Sequence, residues 1–276
     1  MQMLRNNLFF DTLKFISYKK LLLGIISAGL LFFFIQLKHS EASQPKAAII
    51  DHLSISQPNP AFAQECSAIL KQAGFTVDYY PGEKVTVELY RNLPTYEYDL
   101  IVLRVHSSYV HEREHPSLAM YTSEPYSTKR YVYEQLRSRI SRGYLSPYHE
   151  GDPAYLVITE KFIQNSMNGR FKNTLIIMMG CGGIKKGVMA TAFIEKGASA
   201  YIGWDGPVSA LHTDRATLSF LKHLLIEKQT IIRAVGKTMQ EIGREPQSKS
   251  TLLFWPINAG NLNIQTLFKT PGNPDL

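Results

Sequence analysis

The chain alternates short, almost uninterrupted apolar runs with longer segments in which apolar residues recur every three or four positions. An uninterrupted run rich in β-branched residues is typical of a strand that is buried on both faces of a parallel sheet. Apolar residues at helical spacing indicate helices that cover such a sheet. This alternation predicts an α/β fold with a doubly wound, mostly parallel sheet.

The same pattern gives the approximate bounds of the elements. We predict strands at residues 47–52, 75–80, 99–106, 174–180, 200–204 and 252–257. We predict helices at residues 60–73, 85–92, 187–196, 214–228 and 231–242. Thr213 or Asp214 is expected to cap the fourth of these helices. An insertion at about residues 109–173 is too long for a simple connection, and we expect part of it to form hairpins over the crevice.

An apolar segment without formal charge covers residues 21–37 and is just short of a typical helical span. Residues 1–20 carry four bases and one acid, so the positive-inside rule places the N-terminus in the cytoplasm. We therefore expect one transmembrane anchor at 21–37, after a cytoplasmic tail at 1–20. A linker at 38–46 and an extracytoplasmic domain at 47–276 would follow.

Two other interpretations of residues 21–37 stay open. Small residues at Ser40-Glu41-Ala42 have the spacing that a signal peptidase accepts, so the segment could be a cleaved signal peptide. It could also be a buried hydrophobic helix. The retained anchor is favoured because the apolar segment is long for a cleaved signal.

Composition adds two constraints. The 276 residues, 45% of them hydrophobic, can bury one substantial core. The net charge is +7, of which residues 1–20 contribute +3, and the remaining charge is dispersed. A charge this small and scattered argues against a nucleic-acid partner.

Two of the predicted strands end in residues that can do covalent chemistry. The run 99–105 leads into His106, and the run 174–180 leads into Cys181. Ligands of an open parallel sheet lie beyond the carboxyl ends of its strands, so we expect both side chains at one crevice. A thiol beside an imidazole is an activated nucleophile. The sequence therefore predicts a catalytic dyad that needs no metal and no cofactor.

Each of these residues also has a simpler explanation. A Gly-Cys pair at a strand end is typical of a tight turn, and a histidine there can form a local hydrogen bond. Gly180, Gly182 and Gly183 flank Cys181, which would let a substrate backbone approach and would permit unusual backbone angles. The matching positions of His106 and Cys181 on two strands favour the dyad.

The other cysteine, Cys66, is expected in the core. It shares a helix face with Phe62, Ile69 and Ala73, whose spacing is that of a buried stripe. The alternative is a disulfide with Cys181, which requires Cα atoms within about 7 Å. We expect that a residue in the middle of a helix and one at a strand end do not meet that condition.

The string His111-Glu112-Arg113-Glu114-His115 has the spacing of a zinc-peptidase motif. Such a motif needs a helix that continues past the second histidine, and Pro116 disfavours helical backbone at His115. We therefore favour a solvated loop and keep a zinc metallopeptidase as a remote alternative.

Several motifs together resemble the caspase, legumain, gingipain and separase group of cysteine peptidases. The motifs are the strand that ends in His106, the strand that ends in Gly180-Cys181, and the helical sequence at 189–198; the resemblance covers about residues 47–257. It implies a three-layer caspase-like sandwich. It also implies an oxyanion hole formed by the backbone amides of Cys181 and Ser107, although the group usually has glycine at the latter position.

The strand order of this group would place Trp204 and Asp205 at the edge of the crevice. An aromatic wall with a carboxylate at its base would suit a Lys or Arg side chain of a substrate. With Gly182, these residues are the candidate substrate-binding set. The alternative is that residues 205–207 form a surface turn.

We therefore expect a membrane-anchored, extracytoplasmic cysteine endopeptidase. Its partners would be a peptide or protein substrate and, through residues 21–37, the cytoplasmic membrane. The main alternative is a catalytically silent receptor or adaptor that binds a peptide in the same crevice.

Overall fold

A computed structural model describes residues 44–111, 116–145 and 149–268. The predicted tail and anchor lie outside the described residues, as does all of the predicted linker before Gln44. Within the described ranges, no helix has the length and apolar character needed to cross a membrane.

The strands of the described residues form two separate sheets. In chain order they are β1 (Lys46–Asp51), β2 (Thr76–Pro81), β3 (Leu100–Arg104), β4 (Ser107–His111), β5 (Pro116–Pro125), β6 (Ile140–Tyr144), β7 (Ala154–Thr159), β8 (Leu175–Met178), β9 (Ala200–Trp204) and β10 (Leu252–Trp255).

The main sheet has the strand order β10-β9-β8-β3-β1-β2. Neighbouring strands in this sheet are parallel, except that β10 runs antiparallel to β9. Strands β3 and β8 are direct neighbours, with Leu103 opposite Met178. The predicted α/β fold with a mostly parallel sheet is thus confirmed. The carboxyl ends of β3 and β8 therefore lie side by side at one edge of the main sheet.

Helices cover both faces of the main sheet. In chain order they are α1 (Pro60–Gln72), α2 (Val87–Asn92), α3 (Val132–Leu136), α4 (Glu160–Ser166), α5 (Val188–Glu195), α6 (Ala210–Leu221), α7 (Ile231–Ile242) and α8 (Ile264–Leu267). Strand residues alternate between two apolar clusters, one with α1, α6 and α7 and the other with α2, α4 and α5. In β1, for example, Ile49 enters the first cluster and Ile50 the second.

The second sheet is antiparallel, with the order β4-β5-β7-β6. It is formed within the segment predicted as an insertion, although β4 already begins at Ser107. Leu118, Met120 and Ile158 on one of its faces join the cluster of α2, α4 and α5. The second sheet therefore packs on that helical layer. Val105 and His106 separate the end of β3 from the start of β4.

The start of α6 differs from the prediction. The helix begins at Ala210 with Ser209 as its N-cap residue, so Thr213 and Asp214 lie within the first turns. The expected cap at Thr213 or Asp214 is wrong. The helix begins upstream of both residues, and their side chains bind other groups: Thr213 Oγ1 accepts the Trp204 indole N–H, and the Asp214 carboxylate binds Arg104.

Cys66 is a fully buried free cysteine on the inner face of α1, as its helical spacing predicted. Burial, followed by the charges of Asp214 and Asp51, raises the pKa of its thiol. Cys181 is also free, so the two residues do not form a disulfide.

A buried arginine joins three elements at the carboxyl edge of the main sheet. Arg104, at the end of β3, is 1% exposed. Its Nη1 lies 2.8 Å from Asp51 Oδ1 at the end of β1, and its Nε lies 2.7 Å from Asp214 Oδ1 in α6. Its Nη2 also donates to the Gln57 carbonyl oxygen at 2.9 Å. Charge pairing and hydrogen bonds thus satisfy the buried guanidinium on every side.

Replacing this guanidinium should destabilise the fold strongly. Arg104→Met leaves the Asp51 and Asp214 carboxylates buried without their cation, which typically costs about 3–5 kcal/mol. Urea unfolding measures the loss. The matched control is Lys222→Met, which breaks an exposed pair with Glu65 and should cost at most about 1 kcal/mol. Equal losses in the two variants would contradict this account.

Candidate active site

A cavity of about 360 Å³ opens at the carboxyl edge of the main sheet. The segments that follow β1, β3, β8 and β9 all contribute to its wall, as does the second sheet. His106 and Cys181 both line it. The structure therefore brings the two residues that the sequence singled out to the same cavity.

His106 follows β3 by two residues and is partly buried. Its Nε2 lies 3.1 Å from Ser56 Oγ. Its ring also makes edge contacts with His52 and Tyr121, at centroid distances of 5.7 Å and 6.0 Å. Burial, and then the charge of Arg104, lowers the pKa of His106. The imidazole is therefore neutral at pH 7, which is the form that can accept a proton.

Cys181 is partly exposed and is held by the segment after β9. The Val208 backbone N–H donates to Sγ at 3.4 Å, and the Val208 carbonyl oxygen lies 3.5 Å from Sγ. Within the described residues, the hydrogen-bond contacts of the thiol are therefore to Val208, whereas His106 contacts Ser56.

The turn around Cys181 requires glycine on both sides. A Cβ atom at Gly180 would lie 2.4 Å from Ser107 Oγ and 2.7 Å from the Val105 carbonyl oxygen. Gly182 has a φ of +66°, a left-handed conformation that favours glycine. The Gly182 amide donates to the Gly206 carbonyl oxygen at 2.8 Å. Of the flanking glycines, Gly180 lines the cavity and Gly182 does not.

Ser107 joins the segment after β3, which carries His106, to the segment after β8, which carries Cys181. Its hydroxyl donates to the Cys181 carbonyl oxygen at 2.8 Å. The Tyr121 amide donates to the His106 carbonyl oxygen at 3.0 Å, which makes Ser107 and Met120 a non-hydrogen-bonded pair of the ladder. In such a pair the backbone amide is directed away from the partner strand. The Ser107 amide thus points away from β5, and its side chain ties the two segments together.

The structure corrects the predicted pocket for basic side chains. Trp204 is fully buried, and its Nε1 donates to Thr213 Oγ1 at 2.9 Å. Asp205 Oδ1 accepts the Thr251 amide at 2.7 Å. Neither residue lines the cavity. The strand periodicity explains the difference, because Trp204 falls on the face of β9 that packs against α6 and α7.

The predicted zinc motif begins at the end of one strand and is followed directly by another. His111 is the last residue of β4 and pairs with Pro116, the first residue of β5. Residues 112–115 lie outside the described ranges. A helix that continues beyond His115, which a zinc-peptidase motif requires, is incompatible with the strand that begins at Pro116.

Sequence reasoning missed His52, Ser56 and Arg104. The signal for His52 was present, since the predicted first strand also ends in a histidine. Ser56 lies in an irregular segment after β1 and carries no pattern that distinguishes it from other surface serines. Arg104 was interpreted only as a member of the third apolar run.

His52 is a buried neutral imidazole beside His106. Burial, followed by the proximity of His106, lowers the pKa of His52 to about 4, partly offset by a hydrogen bond with the Thr122 backbone. No hydrogen-bond partner of its Nδ1 occurs among the described residues. The His52 ring therefore supports His106 by packing and stays uncharged at pH 7.

The sequence matches no protein-family model and no curated protein.

The low pKa of His52 predicts a loss of stability in acid. Below pH 6.5 the unfolded chain binds a proton at this imidazole, whereas the folded chain does not do so until about pH 4. This difference should remove about 3 kcal/mol of unfolding free energy as the pH falls from 7 to 4. Unfolding of wild type and His52→Gln, measured across this range, isolates the contribution.

We expect His52→Gln to lose less stability than wild type over the same range. His149→Gln is the control, because it removes an imidazole whose side chain is 75% exposed. A His52→Gln profile that runs parallel to the wild-type profile would refute the assignment.

Proposed function

We propose that this protein is a membrane-anchored, extracytoplasmic cysteine endopeptidase with a three-layer, caspase-like architecture. The observation that carries the proposal is the position of His106 and Cys181. Both line one cavity beyond the carboxyl ends of the adjacent parallel strands β3 and β8. A neutral imidazole and a thiol at such an edge are the groups that covalent peptide hydrolysis requires.

In the proposed reaction, Cys181 Sγ attacks the scissile carbonyl carbon while His106 takes the thiol proton. The amides of Ser107 and Cys181 stabilise the negative charge that develops on the carbonyl oxygen. The C–N bond then breaks, and His106 gives its proton to the leaving amine. His106 next takes a proton from water, and the resulting hydroxide attacks the thioester carbon. The C–S bond breaks and releases the acid product, and His106 returns its proton to Sγ, which restores the thiol.

Ser56 supports this cycle as a positioning residue. Its hydroxyl lies 3.1 Å from His106 Nε2, which leaves Nδ1 for exchange of the proton with the substrate site. The contacts of Cys181 Sγ with Val208 are the ones that a bound substrate would replace. The proposed cycle thus begins when substrate separates the thiol from this backbone segment.

A catalytically silent peptide-binding module is the second candidate. It is favoured by the hydrogen bonds of the two side chains, because His106 contacts Ser56 and Cys181 contacts Val208. A binding module would retain the cavity and would not need the proton transfer between them.

Cleavage of a peptide library by the full chain in detergent separates the two candidates. We expect Cys181→Ala to abolish cleavage and His106→Ala to lower kcat by about 10²–10⁴-fold, the usual contribution of a general base. Alkylation by iodoacetamide should also label Cys181 in preference to the fully buried Cys66, and His106→Ala should slow this labelling.

Cys66→Ala is the matched control, because it removes the other thiol, which is fully buried and does not line the cavity. It should retain cleavage. Cleavage that survives in Cys181→Ala, or equal labelling of both cysteines that is unaffected by His106→Ala, would exclude the dyad.

The four bases before residue 21 predict that the domain lies outside the cytoplasmic membrane. Protease added to spheroplasts that express the full chain should therefore digest the domain. A cytoplasmic marker protein must stay intact in the same sample. Protection of the domain until the cells are lysed would reverse the proposed topology.

A further inference from the structure

The walls of the active-site cavity are mainly apolar. They include Leu53, Val105, Leu145, Met179, Val208 and the ring of Tyr121. The polar wall groups within the described part of the chain are hydroxyls, the amide of Gln57, the Cys181 thiol and the neutral imidazole of His106. Hydroxyl and amide groups can accept or donate hydrogen bonds, but they carry no charge to offset that of an ionised substrate group.

Three charged residues behind this cavity are already paired with one another. Thr213 lines the cavity, but the next residue, Asp214, directs both carboxylate oxygens to Arg104 at 2.7 Å and 2.9 Å. Asp51 is held by the same guanidinium and by the Tyr79 hydroxyl. All three charged residues are at most 2% exposed. They form a closed network of one cation and two carboxylates behind the cavity, and none of the three lines its wall.

We propose that this site takes an uncharged, apolar substrate side chain, aliphatic or aromatic, on the amino side of the scissile bond. The inference rests on the proposed function and names its substrate class. A Lys, Arg or Asp side chain that left water here would contact no oppositely charged side chain in the cavity wall, and its desolvation would oppose binding. An apolar side chain gains from burial against Leu53, Leu145 and Val208. The volume of about 360 Å³ is within the range of small-ligand sites.

The test measures binding independently of cleavage. Acetylated peptide amides that differ only in a C-terminal Leu, Phe, Arg or Asp compete with iodoacetamide for access to Cys181 in the full chain. We expect the Leu and Phe peptides to protect the thiol at concentrations about tenfold lower than the Arg and Asp peptides. Protection by the Arg or Asp peptide at the same or a lower concentration would overturn the inference.

A charge introduced into the wall should change the preference. Gln57→Glu adds a carboxylate of nearly the same shape to the cavity, and we expect it to improve protection by the Arg peptide about tenfold relative to the Leu peptide. Gln64→Glu is the matched control, because it makes the same change on the exposed side of α1, away from the cavity. An equal response of the two variants would count against the inference.

The proposed peptidase activity can fail separately. Selective protection by the Leu and Phe peptides without hydrolysis of any peptide would support the binding preference and would exclude catalysis. Hydrolysis after Arg or Asp, with matching protection, would support the peptidase and would exclude an uncharged preference.

Discussion

The buried guanidinium of Arg104 is the constraint on which the carboxyl edge of the main sheet depends. A cation removed from water is stable only when charge and hydrogen bonds surround it, so its partners must hold their positions. Those partners are Asp51 at the end of β1, Asp214 in α6 and the Gln57 carbonyl oxygen between β1 and α1. One side chain thereby fixes three segments relative to β3. Arg104 is the last residue of β3, and His106 follows it by two residues.

The network extends to the first helix. Asn59 Nδ2 donates to Asp214 Oδ2 at 2.9 Å, while Asn59 Oδ1 accepts the Phe62 amide and caps α1. The Phe62 ring in turn lies 5.4 Å from the guanidinium carbon of Arg104. The segment between β1 and α1, which carries Ser56, is therefore held at both of its ends. This explains how an irregular, exposed segment can present a hydroxyl to His106.

The sequence was informative where structure is determined locally. Strand 200–204 and helix 231–242 were predicted to the residue, because an apolar run or a helical stripe there is bounded by glycine or polar residues. The four-stranded second sheet was not resolved into strands, because its segments mix apolar, tyrosine and arginine positions. Trp204 was assigned to the crevice from its place at a strand end, whereas the two-residue periodicity of the strand decides which face it occupies.

The candidate site also combines residues that the sequence predicts with contacts that it does not predict. His106 and Cys181 could be selected from their positions at strand ends, since the sheet itself brings those ends together. The partners of Arg104 could not be selected from the sequence, because Asp214 is 110 residues away along the chain and no local pattern relates the two residues. Ser107 stands where the resembled group usually has glycine, and the structure gives its hydroxyl a task that the sequence did not reveal, the bond to the Cys181 carbonyl oxygen.

The same arginine that organises the edge also shapes the proposed chemistry. Its charge adds to burial in lowering the pKa of His106, so the ring stays neutral near pH 7. A neutral ring is a competent base, but a nearby cation disfavours the imidazolium that a preformed ion pair with a thiolate would need. The proposed mechanism therefore couples proton transfer to the attack of Cys181 Sγ on its electrophile, whether a substrate carbonyl carbon or an alkylating probe, and needs no preformed ion pair. A catalytic cycle has to replace the contacts of His106 with Ser56 and of Cys181 with Val208, whereas a silent binding module would keep them.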